Sequence, residues 1–153
     1  MEGIFGLTTP FDLFRKLERD LDLMQRDPGN QDFAINFFMT AEHMVDWLYP
    51  GYENTKKRTE IRDSEVLLQV TSHLANGTKH FQVQAKHHKS VAKTGQTGYF
   101  ATGYFAKGYF SEWLCVELSD TAADELGKSI RVNDLAKRVL EYWKNHLSTY
   151  DGR

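Results

Sequence analysis

Two short polar series are the residues in this sequence whose types and spacing could do chemistry. Asn36, Thr40, His43 and Trp47 recur at steps of four, three and four, the course of one helix face, and Asp46 follows His43 by three. Gln69, His73, Asn76 and His80 repeat that course further along the chain. Histidine titrates near neutrality, and a carboxylate one helical turn away can fix its tautomer. His43 held by Asp46, facing His73, Asn76 and His80, would make an acid–base centre or a His-based metal site. The plainer reading of the same residues is buried His and Asn hydrogen-bonded between helices. No His-x-x-x-His or Glu-x-x-His pair occurs, and the one cysteine, Cys115, cannot build a Cys-based zinc site, so no metal is assigned. Cys115 lies between Leu114 and Val116, the setting of a core filler rather than a nucleophile.

The second chemical signal is charge. Residues 66–111 contain no Asp or Glu, yet hold Lys79, Lys86, Lys89, Lys93 and Lys107 with four histidines. Clustered lysines attract phosphate, so nucleic acid or a nucleotide is the expected partner; otherwise these lysines pair with the acidic stretch 112–125 across a sheet. Inside the segment Gly-Tyr-Phe occurs three times at a spacing of five, at Gly98, Gly103 and Gly108. An odd step flips faces in a strand, so Tyr99 and Tyr104 would point to opposite sides. Lys79, Lys86, Lys89, Lys93, Tyr99, Tyr104 and Lys107 are therefore the candidate nucleic-acid contacts, with the aromatics stacking on bases. A loop packed on itself, or a contact in a homo-oligomer, explains the repeat equally well.

No Gly-rich phosphate loop and no Gly-x-Ser-x-Gly elbow is present, and nothing implies a cofactor. Around Asn76-Gly77-Thr78-Lys79-His80 the chain resembles the HEPN superfamily of small helical-bundle proteins, many of them ribonucleases. That family carries Arg-polar-x-x-x-His; Asn76 and His80 match the polar residue and the His, while Ala75 stands at the Arg position. The resemblance implies RNA cleavage centred on His80 with Asn76, joined by His43 if the two helices meet, and the Ala at the Arg position argues against catalysis. The chain also resembles uncharacterised bacterial or phage proteins with Asn-Gly-x-Lys-His-Phe after a helix containing Ala-Glu-His-Met-Val-Asp-Trp. That second likeness implies no activity.

The elements that must position these residues follow from periodicity. Thr9-Pro10 starts a helix over 10–26, with Phe14, Leu17, Leu21 and Met24 on one stripe. A second helix runs over 31–49 to Pro50-Gly51, and a third over 59–76 to Asn76-Gly77. The period then drops to two, giving strands over 79–91, 110–118 and 128–132, with 121–126 as an alternative helical turn. A last helix over 133–148, capped by Asn133 or Asp134, closes the chain. The expected fold is α+β: a bundle of three N-terminal helices and one C-terminal helix, with a small antiparallel β-meander before the last helix. Residues 1–153 are read as one domain.

Composition agrees. The 153 residues are 41% hydrophobic and 26% charged, with a net charge of −2, so the balance itself selects no partner. No basic-then-apolar leader opens the chain, and no apolar run approaches the roughly 20 residues of a membrane span. The expectation is a cytoplasmic protein, not associated with a membrane. It is a non-catalytic binding module with a basic, aromatic surface suited to nucleic acid; an enzyme, HEPN-like or His-metal, is the alternative.

Overall fold

A computed structural model of the chain describes residues 3–80, 89–97 and 113–150. Helix α1 (Pro10–Arg26) begins at a reciprocal cap: Asp12 N–H donates to Thr9 Oγ1 at 3.2 Å, and Thr9 N–H donates to Asp12 Oδ2 at 2.9 Å. Helix α2 (Gln31–Leu48) starts at Asn30, whose side chain accepts from the backbone N–H groups of Asp32 and Phe33. A single 3-10 turn (Tyr52–Asn54) leads into α3 (Thr55–Ser64) and α4 (Val66–Lys79). Strands β1 (Val91–Thr97) and β2 (Trp113–Leu118), helix α5 (Asp120–Leu126), strand β3 (Ser129–Arg131) and helix α6 (Val132–Ser148) complete the order. The sheet is antiparallel with order β1-β2-β3, so the fold is the expected α+β helical bundle with a meander before the last helix.

Helix α2 packs on α1, α3, α4 and α6, which is why its apolar face is so wide. Leu17, Phe37, Ala41, Met44, Val70, Leu135, Ala136 and Val139 are fully buried where these helices meet. Each of these side chains other than the two alanines stabilises the fold by roughly 1.5–3 kcal/mol relative to exposure. Val116, Leu118 and Ile130 bring the inner face of the sheet into the same core. Asp20 is buried too, and it is satisfied: Lys16 and Thr40 both donate to its Oδ2.

Four boundaries differ from the sequence expectation, each for a physical reason. The helix expected over 59–76 is two helices, broken at Glu65, whose φ of −132° and ψ of 118° are extended. Helix α3 buries none of its residues, whereas α4 buries Val66, Leu68, Val70, Thr71 and Ser72. The break lets a polar helix and a core helix take different orientations. Asn76-Gly77 does not stop α4, because His80 N–H still donates to Asn76 O at 3.0 Å; the helix runs on to Lys79.

The strand expected over 79–91 is therefore corrected at its start only. Lys79 is helical, His80 is the C-cap, and residues 81–88 lie outside the described residues. Among the described residues the first strand begins at Val91, in a stretch exposed from Ala92 to Gln96 that carries no apolar alternation to betray it. Helix α6 starts at Val132, and neither Asn133 nor Asp134 caps it: Asn133 Nδ2 reaches across to Met24 O at 3.1 Å, tying α6 to the end of α1. The piece 121–126 is helical, as α5.

Candidate functional site

Two surfaces carry the polar chemistry. The first is the outer face of the sheet. Val116 pairs with Ile130, and both face the core, so Trp113, Cys115 and Glu117 on β2 and Ser129 and Arg131 on β3 face outward. The register slips between Val91 and Lys93 so that Val91 opposes Leu118 and Lys93 opposes Glu117, which turns Lys93 outward as well. The Arg131 guanidinium lies over the Trp113 ring, 3.5 Å from its centroid. Beside it an open depression of 520 Å³ is lined by Arg131, Lys137 and Arg138 with Ser129 and Asp134. Lys137 is spent on Asp134 at 3.7 Å, but Arg131 and Arg138 pair with no carboxylate among the described residues.

The second surface is a cleft of 310 Å³ between α2, α3 and α4. Two acids one turn apart on α2, Glu42 and Asp46, meet two arginines one turn apart on α3, Arg58 and Arg62. Arg62 Nε donates to Glu42 Oε1 at 2.6 Å and its Nη2 reaches both Asp46 oxygens at 3.2 Å; Arg58 Nε sits 3.2 Å from Asp46. Arg58 Nη1 also donates to the carbonyls of Tyr49 and Gly51, fastening the turn between the helices. Burial raises the Glu42 carboxyl above its ordinary range, helped by Asp46, and Arg62 and Ser72 pull the other way. Thr59 and Asp63 of α3 and Gln69, Ser72 and Asn76 of α4 complete the lining.

The candidate catalytic residues do not share this cleft. Asn76 lines it, but its Nδ2 donates back to Ser72 O at 2.8 Å. His43 is exposed and is not held by Asp46, because two guanidiniums occupy that carboxylate. His73 turns toward β1, where its Nδ1 accepts from Val91 N–H at 3.2 Å and lies 3.5 Å from Ser90 Oγ; burial lowers its pKa. His80 stands exposed at the C-cap of α4. Among the described residues no three His, Cys, Asp or Glu side chains gather to hold a metal ion.

Of the nucleic-acid candidates, Lys79, Lys89 and Lys93 are exposed and enter none of the ion pairs among the described residues. Lys93 opposes Glu117 in register yet makes no salt bridge with it, and the Lys89 carbonyl accepts from Ser119 Oγ, fixing that backbone beside α5. Lys86, Tyr99, Tyr104 and Lys107, with the whole Gly-Tyr-Phe repeat, lie outside the described residues. Cys115 is half-buried on the outer sheet face rather than in the core. Sequence reasoning missed Glu42, Arg58, Arg62, Trp113 and Arg131. The matched i, i+4 spacings of Glu42 with Asp46 and Arg58 with Arg62 were a usable signal for a ladder; nothing in the sequence announced that Arg131 would reach Trp113 diagonally on the neighbouring strand.

Comparison of the chain with protein-family models, with curated proteins and with solved structures gives no match. No helix among the described residues is long and apolar enough to cross a membrane.

Proposed function

We infer that the chain is a non-catalytic binding module that takes single-stranded nucleic acid across the outer face of its sheet. The observation that carries this reading is the Arg131 guanidinium stacked on Trp113, on the same face as Lys93 and beside Arg138. A single strand offers phosphates to the cations and flat bases to an aromatic ring or guanidinium plane, and one face here supplies both partners. Lys79, at the end of α4, and Lys89, just before β1, extend the positive charge along the neighbouring seam, where His73 joins the two elements. Glu117, on the same face, limits affinity, and the reliance on cation–phosphate contacts makes it salt-sensitive.

The test is fluorescence anisotropy with labelled RNA and DNA strands of about 12 nucleotides, within the usual range of site sizes. Between about 50 and 200 mM salt, three or four phosphate contacts give log K against log salt a slope of roughly −2 to −3. Lys93→Ala with Arg138→Ala removes two contacts and flattens that slope by about 1.4. Trp113→Ala weakens binding by about 1–3 kcal/mol, the usual worth of one stacked base. No binding at the lowest salt sinks the reading. Cleavage of the RNA that disappears in His80→Ala would replace it with the enzymatic alternative at the end of α4.

A further inference from the structure

We propose that the cleft between α2, α3 and α4 binds a small organic cation bearing a guanidinium or ammonium group. The polar atoms of the cleft divide into those already bonded within the protein and those left open. Most of its donors are engaged inside the protein: Arg62 Nε on Glu42, Arg62 Nη2 on Asp46, one N–H of Gln69 Nε2 on Asp63 O at 2.7 Å, and one N–H of Asn76 Nδ2 on Ser72 O. Because the last two partners are carbonyl oxygens, the amide oxygens of Gln69 and Asn76 are left unbonded among the described residues.

The acceptors remain open. Among the described residues Glu42 accepts through Oε1 alone, from Arg62 and from Ser72 Oγ at 3.4 Å, and its Oε2 takes no bond from them. That oxygen is not sealed in, since Trp143 Nε1 is the one fully buried side-chain polar atom without a partner among the described residues. The Asp63 carboxylate enters no ion pair among the described residues. An opening lined by Glu42 Oε2, the Asp63 carboxylate and two amide oxygens asks for a ligand made of N–H donors.

Charge agrees with hydrogen bonding. Glu42 and Asp63 line the cleft against one cation, Arg62, which Asp46 helps neutralise from outside. An anion would find no uncommitted positive group except Arg62 Nη1, and a metal ion would lack a third His, Cys, Asp or Glu ligand among the described residues. At 310 Å³ the cleft lies at the small end of ligand sites, a fit for a short amine rather than a nucleotide. Burial that raises the Glu42 pKa also points this way, because a bound cation would repay the cost of ionising it.

Titration calorimetry with agmatine, which carries both head groups, and with putrescine, which carries only ammonium, tests the site. One saturable site is expected, weakened at least tenfold by Glu42→Gln. Since that change also disturbs the ladder to α3, Asp63→Asn provides the second arm: its carboxylate holds nothing in the fold, so binding weakens several-fold while the melting temperature stays unchanged. Asp124→Asn, on α5, leaves binding as in the wild type. Absence of saturable binding by both amines overturns the proposal, as does wild-type affinity in both Glu42→Gln and Asp63→Asn. Binding of phosphate at the cleft in place of the amines overturns it too.

Discussion

Trp143 is the residue whose chemistry is least settled by its surroundings. It is 1% exposed, packed edge-on against Tyr142 and His146, and its Nε1 finds no acceptor among the described residues. A buried donor left unbonded costs about 1–3 kcal/mol, so replacing the indole with a ring that has no donor should recover much of what the smaller volume loses. Trp143→Phe is expected to cost less than about 1.5 kcal/mol in urea denaturation, against about 3–5 kcal/mol for Trp143→Ala. A loss near the Ala value for the Phe variant would mean that Nε1 is satisfied after all. At this scale the sequence is readable wherever chemistry is local. The Thr9–Asp12 cap is visible because both partners lie within one turn. The fate of Asp46 is not, because spacing puts His43 on the same helix one turn away but says nothing of Arg58 and Arg62 arriving from another helix.

Among the α-helices, α3 stands apart in having no buried residue. What fastens it is the ladder from Arg58 and Arg62 to Glu42 and Asp46, the Arg58 bonds to the Tyr49 and Gly51 carbonyls, and the partly buried Ile61. An element held mainly by polar contacts should open locally at lower free energy than one rooted in the core. Amide hydrogen exchange is therefore expected to be faster in α3 than in α4. Arg62→Ala should lower the opening free energy of α3 by about 1–2 kcal/mol, roughly tenfold in rate, with α1, α2 and α6 unchanged. Equal protection of α3 and α4 would contradict this. The four strongly amphipathic helices are legible in sequence because their stripes follow the helix period. The break at Glu65 is not, since no Gly or Pro marks it and the reason lies in how two helices share one neighbour. Strand β1 is illegible for the opposite reason: exposed from Ala92 to Gln96 and carrying Gly95, it buries too little to impose an alternation.

For the molecule as a whole, two histidines link stability to pH. His73 Nδ1 accepts from the Val91 N–H, and His146 Nε2 lies 3.0 Å from the Tyr49 hydroxyl, joining α4 to β1 and the end of α6 to the end of α2. Burial lowers the pKa of both below the ordinary 6.5, and for His146 the Lys57 charge adds to it; Lys57 also sits over the Tyr49 ring at 4.0 Å. A lowered pKa means that the unfolded chain takes up the proton first. Both contributions are therefore complete above 6.5 and are lost as pH falls through 6.5 toward the folded-state values. Glu42 acts with the opposite sign: its pKa is raised above 4.5, so the fold holds a proton the unfolded chain would release, and it costs stability as pH rises from 4.5 through its folded value. The histidine contributions begin to be lost at 6.5, so the melting temperature is expected to fall by several degrees on acidification from about pH 7.5 to 5.5. His73→Asn and His146→Gln each keep a hydrogen-bonding atom near the original nitrogen but cannot titrate in this range. The double variant should flatten the profile across that window. If its melting temperature drops as steeply as the wild type's, the proton uptake belongs to other groups and these two joints are not what acid loosens.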